Sequence, residues 1–224
     1  MERPIDVELK KLKQQLLTMA GEVEQQLRLA VRSLVERDSQ AAEEVLAADA
    51  RVDAREKEVD RTAVEIIVRE RPLASDLRLV ITATKIAPDL ERVGDHAVNI
   101  AEQALVLNRF PPLKPFVTLP RMAEIAQEMI RQALQAYVEH DAPLARQVIA
   151  RDDVVDAMHE EVFRELLTYM LGDPRTIPRA LALILIARSL ERVADQATNI
   201  AEQVVYLVEG QDIRHVHGGP SHGA

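Results

Sequence analysis

The amino-acid sequence predicts an all-α protein built as two tandem three-helix bundles, six long helices in all, related by a pseudo-twofold. Three observations predict it. Ala, Leu, Glu, Arg and Gln dominate while β-branched residues rarely alternate with polar ones, which is a helical composition. Aromatic residues are only 3% of the chain, so the core has to be assembled from Leu, Ile, Val and Ala. LERVGDHAVNIAEQ at 90–103 returns as LERVADQATNIAEQ at 190–203, with eleven of fourteen positions kept and only Gly94, His96 and Val98 changed.

Helix breakers delimit the six stretches in order. Pro4 opens the first, which runs to about Glu36 and turns at Arg37-Asp38-Ser39. The second covers about 40–70 and stops before Pro72. The third starts at Ser75 or Asp76, either of which can cap it, and ends near Asn108. Pro88 lies inside it, where the second copy has Arg188, and removes the hydrogen bond to the Thr84 carbonyl, so a kink is expected there. PPLKPFVTLP at 111–120 is the Pro-dense boundary between halves. The fourth stretch runs from Pro120 to near His140, and Asp141 caps the fifth, with Pro143 in its first turn. The fifth ends at Gly172-Asp173-Pro174, and the sixth covers about 176–209. The expected organisation is a first repeat at 1–109, a Pro-rich linker at 110–120, a second repeat at 121–209 and a disordered tail at 210–224.

The duplication extends beyond the opening pair. AVRSLVERD at 30–38 matches ALQAYVEHD at 133–141, and VLAADARVD at 45–53 matches VIARDDVVD at 148–156, both at an offset of 103. The offset falls to 100 in the last helix, so three residues are missing from the second copy between these segments. Two repeats are too few for a solenoid, which leaves two packed bundles.

At roughly 100° per residue, Leu90, Val93, Ala97, Ile100 and Ala104 form one stripe, the core face of the third helix. Glu91 lies at its edge, and Asp95, Asn99 and Glu102 continue onto the polar side; Glu191, Asp195, Asn199 and Glu202 repeat that line. Asp49 and Asp53 flank the face of Val45, Val52, Val59 and Ala63, as Asp152 and Asp156 flank that of Val148, Val155 and Val162. All four pairs read E/D-x-x-x-D, which puts two carboxylates one turn apart. Where two such helices pack side by side the pairs converge, and the mutual repulsion favours a cation held by oxygens, such as magnesium, manganese or iron. Taken singly, such a pair is an ordinary solvated helix face. Retention of the acids in both copies, while the first and fourth helices diverge, favours a functional surface.

Composition excludes several classes. A net charge of −9 opposes nucleic-acid binding, which needs a basic surface. The chain has no Cys, so any metal has to take carboxylate, imidazole or carbonyl ligands. MERPIDVELKK has no signal-peptide core and the longest apolar run, 180–187, is too short to span a bilayer, so a cytoplasmic protein without direct membrane insertion is expected. No G-x-x-x-x-G-K-[ST] loop is present, so the chain is not itself an ATPase of that class.

DLERVGDHAVNIAEQ at 89–103 and SLERVADQATNIAEQ at 189–203, with the four acidic pairs, the DLR at 76–78 and the opening ELKKLKQQLLTMAGEVEQQL at 8–27, resemble the PhoU family. The resemblance covers about 5–209 and rests chiefly on the doubled LER-x-x-D-x-x-x-N-I-A-E. PhoU proteins are accessory and regulatory proteins of phosphate-specific transport. The resemblance implies two three-helix bundles and a homodimer. It implies a non-catalytic negative regulator of phosphate uptake and the phosphate-starvation response. Its partners would be the ATPase subunit of the phosphate ABC transporter and a membrane sensor histidine kinase, which would recruit it to the inner face of the membrane. It also implies metal clusters, iron or zinc among them, with Asp49, Asp53, Glu91, Asp95, Asp152, Asp156, Glu191 and Asp195 as ligands, and no organic cofactor. Gln196 departs from the motif where the first copy has His96.

Two rival readings differ in class. A carboxylate-bridged di-metal bundle, an oxidase or metal store, needs Glu-x-x-His pairs aimed into a core. Asp156-Ala-Met-His159 is the nearest match, against Asp53-Ala-Arg-Glu56 in the first copy. A phosphotransfer protein would use His159, which precedes Glu160, but no receiver partner is encoded. The three His of RHVHGGPSHGA at the C-terminus point to incidental metal affinity at most.

Overall fold

A computed structural model describes residues 3–213, and all its regular elements are helical. The helices are α1 (Pro4–Val35), α2 (Ser39–Glu70), α3 (Ala74–Leu107), α4 (Thr118–Glu139), α5 (Ala142–Ile149), α6 (Asp152–Gly172) and α7 (Ile177–Glu209). A 3-10 turn, Pro174–Thr176, leads into α7. Of the tail expected to be disordered, 214–224 lie outside the described residues.

The ends follow local chemistry. Asp38 caps α2 by accepting from the Ala41 N–H at 3.1 Å, and Asp141 caps α5 by accepting from the Leu144 N–H at 2.9 Å. Arg37 (φ 58°) and His140 (φ 56°) stand 103 residues apart, and both leave their helix through a left-handed residue, so the first turn of each repeat is the same device. Neither Ser75 nor Asp76 caps α3. That helix starts at Ala74 without a side-chain cap, and Asp76 in its first turn instead accepts from Arg3 at 3.2 Å. The three residues missing from the second copy fall between α6 and α7, opposite Arg71-Pro72-Leu73.

The fifth stretch breaks at Ala150-Arg151 into a short α5 and a long α6, so the six long helices expected are present among the described residues with α5 as an extra short one. Alanines at 47, 48 and 50 carry α2 straight through the equivalent turn, whereas the second copy has Ala150, Arg151 and Asp153. Ala48 is buried, so Arg151 in its place has to swing aside, and its guanidinium donates to Gln132 at 3.0 Å. The Arg151 N–H turns back to the Val148 carbonyl at 3.0 Å, a tightened turn. Asp152 and Asp153 then open α6, where a helix N-terminus favours negative charge. At Pro88, by contrast, α3 stays one continuous helix.

Leu90, Val93, Ala97, Ile100 and Ala104 are fully or almost fully buried, as are Val45, Val52, Val59 and Ala63 on α2 and Val148, Val155 and Val162 in the second copy. One continuous apolar cluster runs through both halves. Within each half the three helical rods pack on one another; between halves the principal contacts join α3 to α7 and α1 to α4. Each is a pairing of a helix with its own counterpart, as a twofold relation requires. The linker is fastened down: Lys114 pairs with Glu165, Arg179 donates to the Pro111 carbonyl at 3.0 Å, and Leu113 and Phe116 pack on the core. Arg37 closes the end of α3 by donating to the carbonyls of Leu107, Asn108 and Phe110, the last at 2.6 Å.

Candidate metal centres on the duplicated acidic rims

The α2–α3 and α6–α7 packing carries the four acidic pairs to the rim of each half. In the second copy, carboxylate oxygens of Asp152, Asp156 and Asp195 all lie within 4.8 Å of one another. A cation holding oxygens at about 2.0–2.6 Å spreads opposite ligands about 4–5 Å apart, so this trio has the dimensions of a coordination site. Asp156 is exposed, and Asp152 and Asp195 are half-buried, so the site faces outward from the bundle.

Electrostatics gather further groups around that trio. Burial, then the neighbouring Asp195 and Asp156, push the Asp152 carboxyl up to about 6. Burial and Asp195 raise Glu191 against the pull of Arg192 and His159, and burial raises Asp195 in spite of Arg192. Arg192 donates to Asp195 at 2.9 Å and stands 3.5 Å from Glu191. One positive charge thus faces four carboxylates. Asp152 Oδ1 and Glu191 Oε2 are shielded from water, helped by the Thr198 hydroxyl near Asp152 and the Arg192 guanidinium 3.5 Å from Glu191. Hard oxygen donors, unspent acceptors and surplus negative charge fit a divalent or trivalent cation.

The first copy repeats the arrangement more openly. Burial raises Asp49, with Asp53 and Asp95 adding to it, and burial and Asp53 raise Asp95. Glu91 is raised by burial, then by Asp95, Glu56 and Asp53. All eight acids named from the sequence therefore sort into two sets, Asp49, Asp53, Glu91 and Asp95 in one and Asp152, Asp156, Glu191 and Asp195 in the other. Asn99 and Glu102, by contrast, are exposed and join neither set.

Two members of these sets are residues that the sequence offered only for the rival readings. Glu56 stands next to Glu91, and His159, 103 residues later, stands next to Glu191, with its Nε2 shielded and unpartnered. Each sits one helical turn beyond the second acid of its pair, the i+3 neighbour of Asp53 and Asp156, and that spacing was the available signal. His159 belongs to the rim, not to the bundle core that a di-metal oxidase would use.

The packing also exposes apolar residues that heptad reading leaves undistinguished. Val64 and Val68 on α2 and Leu167 and Leu171 on α6 occupy matching positions 103 apart, and Val68 and Leu171 are 69% and 78% exposed. Phe163, one turn before Leu167, extends the stripe on α6. Among the described residues no helix is long and apolar enough to cross a membrane.

Comparison with known proteins bears on these rims. The family model described as the PhoU domain matches twice, at residues 16–104 and 119–204. The chain is 41% identical over 212 residues to a Pseudomonas putida "Phosphate-specific transport system accessory protein PhoU homolog", covering 94% of this chain and 83% of that one. It is 39% identical to the Escherichia coli "Phosphate-specific transport system accessory protein PhoU", covering 95% and 88%. The crystal structure of PhoU from Pseudomonas aeruginosa superposes with a TM-score of 0.88 at 40% identity, over 92% of this chain and 99% of that one. PhoU from Streptococcus pneumoniae, a phosphate transport system regulatory protein, gives 0.86 at 28%, over 93% and 99%.

Proposed function

The chain belongs to the PhoU family, and from that premise we propose that it serves phosphate-specific transport as an accessory protein with no catalytic step of its own. In this reading it is a negative regulator of phosphate uptake and of the starvation response. It links the ATPase subunit of a phosphate ABC transporter to a sensor histidine kinase at the cytoplasmic face of the membrane. The observation that carries the reading is the twin acidic rim. Two outward-facing sets of carboxylates recur in a duplicated helical frame, with the proton affinity of Asp49, Glu91 and Asp95 raised in one and of Asp152, Glu191 and Asp195 in the other. The exposed apolar pairs Val64/Leu167 and Val68/Leu171 beside them supply the surface that a partner, or a second copy in a homodimer, would cover.

The residues fit a metal ion. Asp152, Asp156, Glu191, Asp195 and His159 would hold it in the second copy, and Asp49, Asp53, Glu56, Glu91 and Asp95 in the first. The ion, iron, zinc, magnesium or manganese, would offset much of the repulsion among these carboxylates. The protein's own contribution is to keep the carboxylates clustered: Arg192 steadies Asp195 in one set, as Arg92 lowers the proton affinity of Asp95 in the other.

The test replaces Glu91, Asp95, Glu191 and Asp195 with Ala together. The helical circular dichroism should persist while starvation genes become active in high phosphate. Unchanged repression would sink the reading. A rapid oxidation burst on mixing the apo protein with ferrous iron and oxygen would instead favour a di-metal oxidase.

A further inference from the structure

On one side of their contact, α3 and α7 leave a cavity of about 320 Å3, near the lower end of the roughly 300–1,000 Å3 usual for small-molecule sites. His96, Asn99 and Gln103 line it from α3, and Arg188, Ser189 and Arg192 from α7, with Leu185 as an apolar wall. Every polar side chain in that lining can donate a hydrogen bond, two are guanidinium groups, and none is a carboxylate. The chain as a whole has 37 acids against 28 Lys and Arg, so this lining has the opposite sign to the molecule. The larger cavities elsewhere carry acids: Glu22 and Glu44 between α1 and α2, Asp152 and Asp153 beside α5.

The internal repeat supplies a control. One hundred residues earlier, Arg188, Ser189 and Arg192 are Pro88, Asp89 and Arg92. There the buried Asp89 accepts from Arg92 at 2.9 Å, so that position carries its own anion. On α7 the carboxylate has become a hydroxyl, and Arg188 adds a second guanidinium with no acidic partner among the described residues. Arg192 spends one donor on Asp195 and has others left.

We propose that this cavity binds a phosphate-type oxyanion, which takes on α7 the place that the Asp89 carboxylate fills on α3. A guanidinium fork matches the edge of a tetrahedral oxyanion, and the hydroxyl, amide and imidazole donors satisfy its remaining oxygens. The His96 imidazole adds a ring nitrogen, Nδ1, that is shielded and has no hydrogen-bond partner. None of the lining residues belongs to the acidic sets, so the site goes beyond the regulatory reading and stands without it.

The test is calorimetric titration of the full-length, chelator-treated protein with inorganic phosphate, with AMP as a second arm. One saturable site is expected for the wild type. Arg188→Ala should weaken it at least tenfold, and Ser189→Asp, which installs the internal carboxylate, should remove it. Arg131→Ala, a surface arginine paired with Glu128, should leave it unchanged. Circular dichroism checks that each variant folds. Tighter orthophosphate than AMP identifies a free ion as the ligand, and the reverse identifies a phosphate ester. No saturable binding of either, or equal affinity in wild type, Arg188→Ala and Ser189→Asp, overturns the proposal.

Discussion

Gln26 Oε1 lies 3.2 Å from the point that a Cβ on Gly94 would occupy, so the glycine on α3 makes room for a buried amide on α1. Gln26 is 2% exposed and neither polar atom of its amide has a hydrogen-bond partner. In the second copy the same two positions are Met129 and Ala194, both fully buried. One repeat therefore packs thioether against methyl where the other packs amide against glycine. Gln26→Met should stabilise the protein by about 1–3 kcal/mol, the usual cost of leaving a buried polar group unsatisfied. Gly94→Ala should help only in that background, where the helix-propensity gain of about 1 kcal/mol is no longer opposed by the amide. Chemical denaturation of the two single variants and the double variant measures the coupling.

The raised carboxyls predict a pH signature. The Asp152 proton is held more tightly in the folded chain (about 6) than in the unfolded one (3.8), so its contribution to stability is greatest at low pH. That contribution is lost as pH rises from about 4 through about 6. The buried Asp89, also pushed up to about 6 by desolvation, acts in the same direction, while His96 and His140, whose proton affinities are lowered, act in the opposite one. Asp152→Asn isolates the single group. Its melting temperature should match that of the wild type near pH 4 and exceed it by a few degrees above pH 6. A difference that does not change with pH would contradict the assignment.

His159 and Glu56 occupy equivalent places, so the two rims should differ in metal preference. An imidazole favours zinc and iron, whereas an all-carboxylate set suits manganese and magnesium. His159→Glu should lower zinc affinity about tenfold with manganese affinity held, whereas Glu56→His should add a second strong zinc site. Competitive titration against a chromophoric chelator reads both.

The exposed α6 stripe predicts self-association. Leu167→Glu places a charge in the middle of Phe163, Leu167 and Leu171 without touching the core. It should shift the protein towards monomer in sedimentation equilibrium while leaving the circular dichroism unchanged; Val64→Glu tests the matching place on α2.

Most of the architecture was legible because periodicity and breakers are local signals. The buried stripe of α3, the caps at Asp38 and Asp141 and the ends at Glu70 and Glu209 all lie where short-range chemistry puts them. The break at Ala150-Arg151 was not legible, since it arises from one arginine replacing an alanine against a neighbouring helix. The same holds for the three mismatches inside the repeated segment. Gly94 answers Gln26, His96 lines the cavity between halves, and Thr198, where the first copy has Val98, borders the cavity shared with Asp152. Each is explained by a residue far away in sequence. The eight acids were legible because their spacing is local; Glu56 and His159 were legible only through the rival readings, because only packing shows that they meet Glu91 and Glu191 on the rim.

The principal contacts between halves join α3 to α7 and α1 to α4, each to its own counterpart, across a shared apolar interior. Such an arrangement is what two separate subunits would form by self-association, so the present molecule has the geometry of a dimer fused into one polypeptide. Neither half can be shed without stripping the other of its cover. Evolution has been free to specialise one copy at a time, giving one side Asp89 and the other Arg188, while the scaffold that holds them together stays common property.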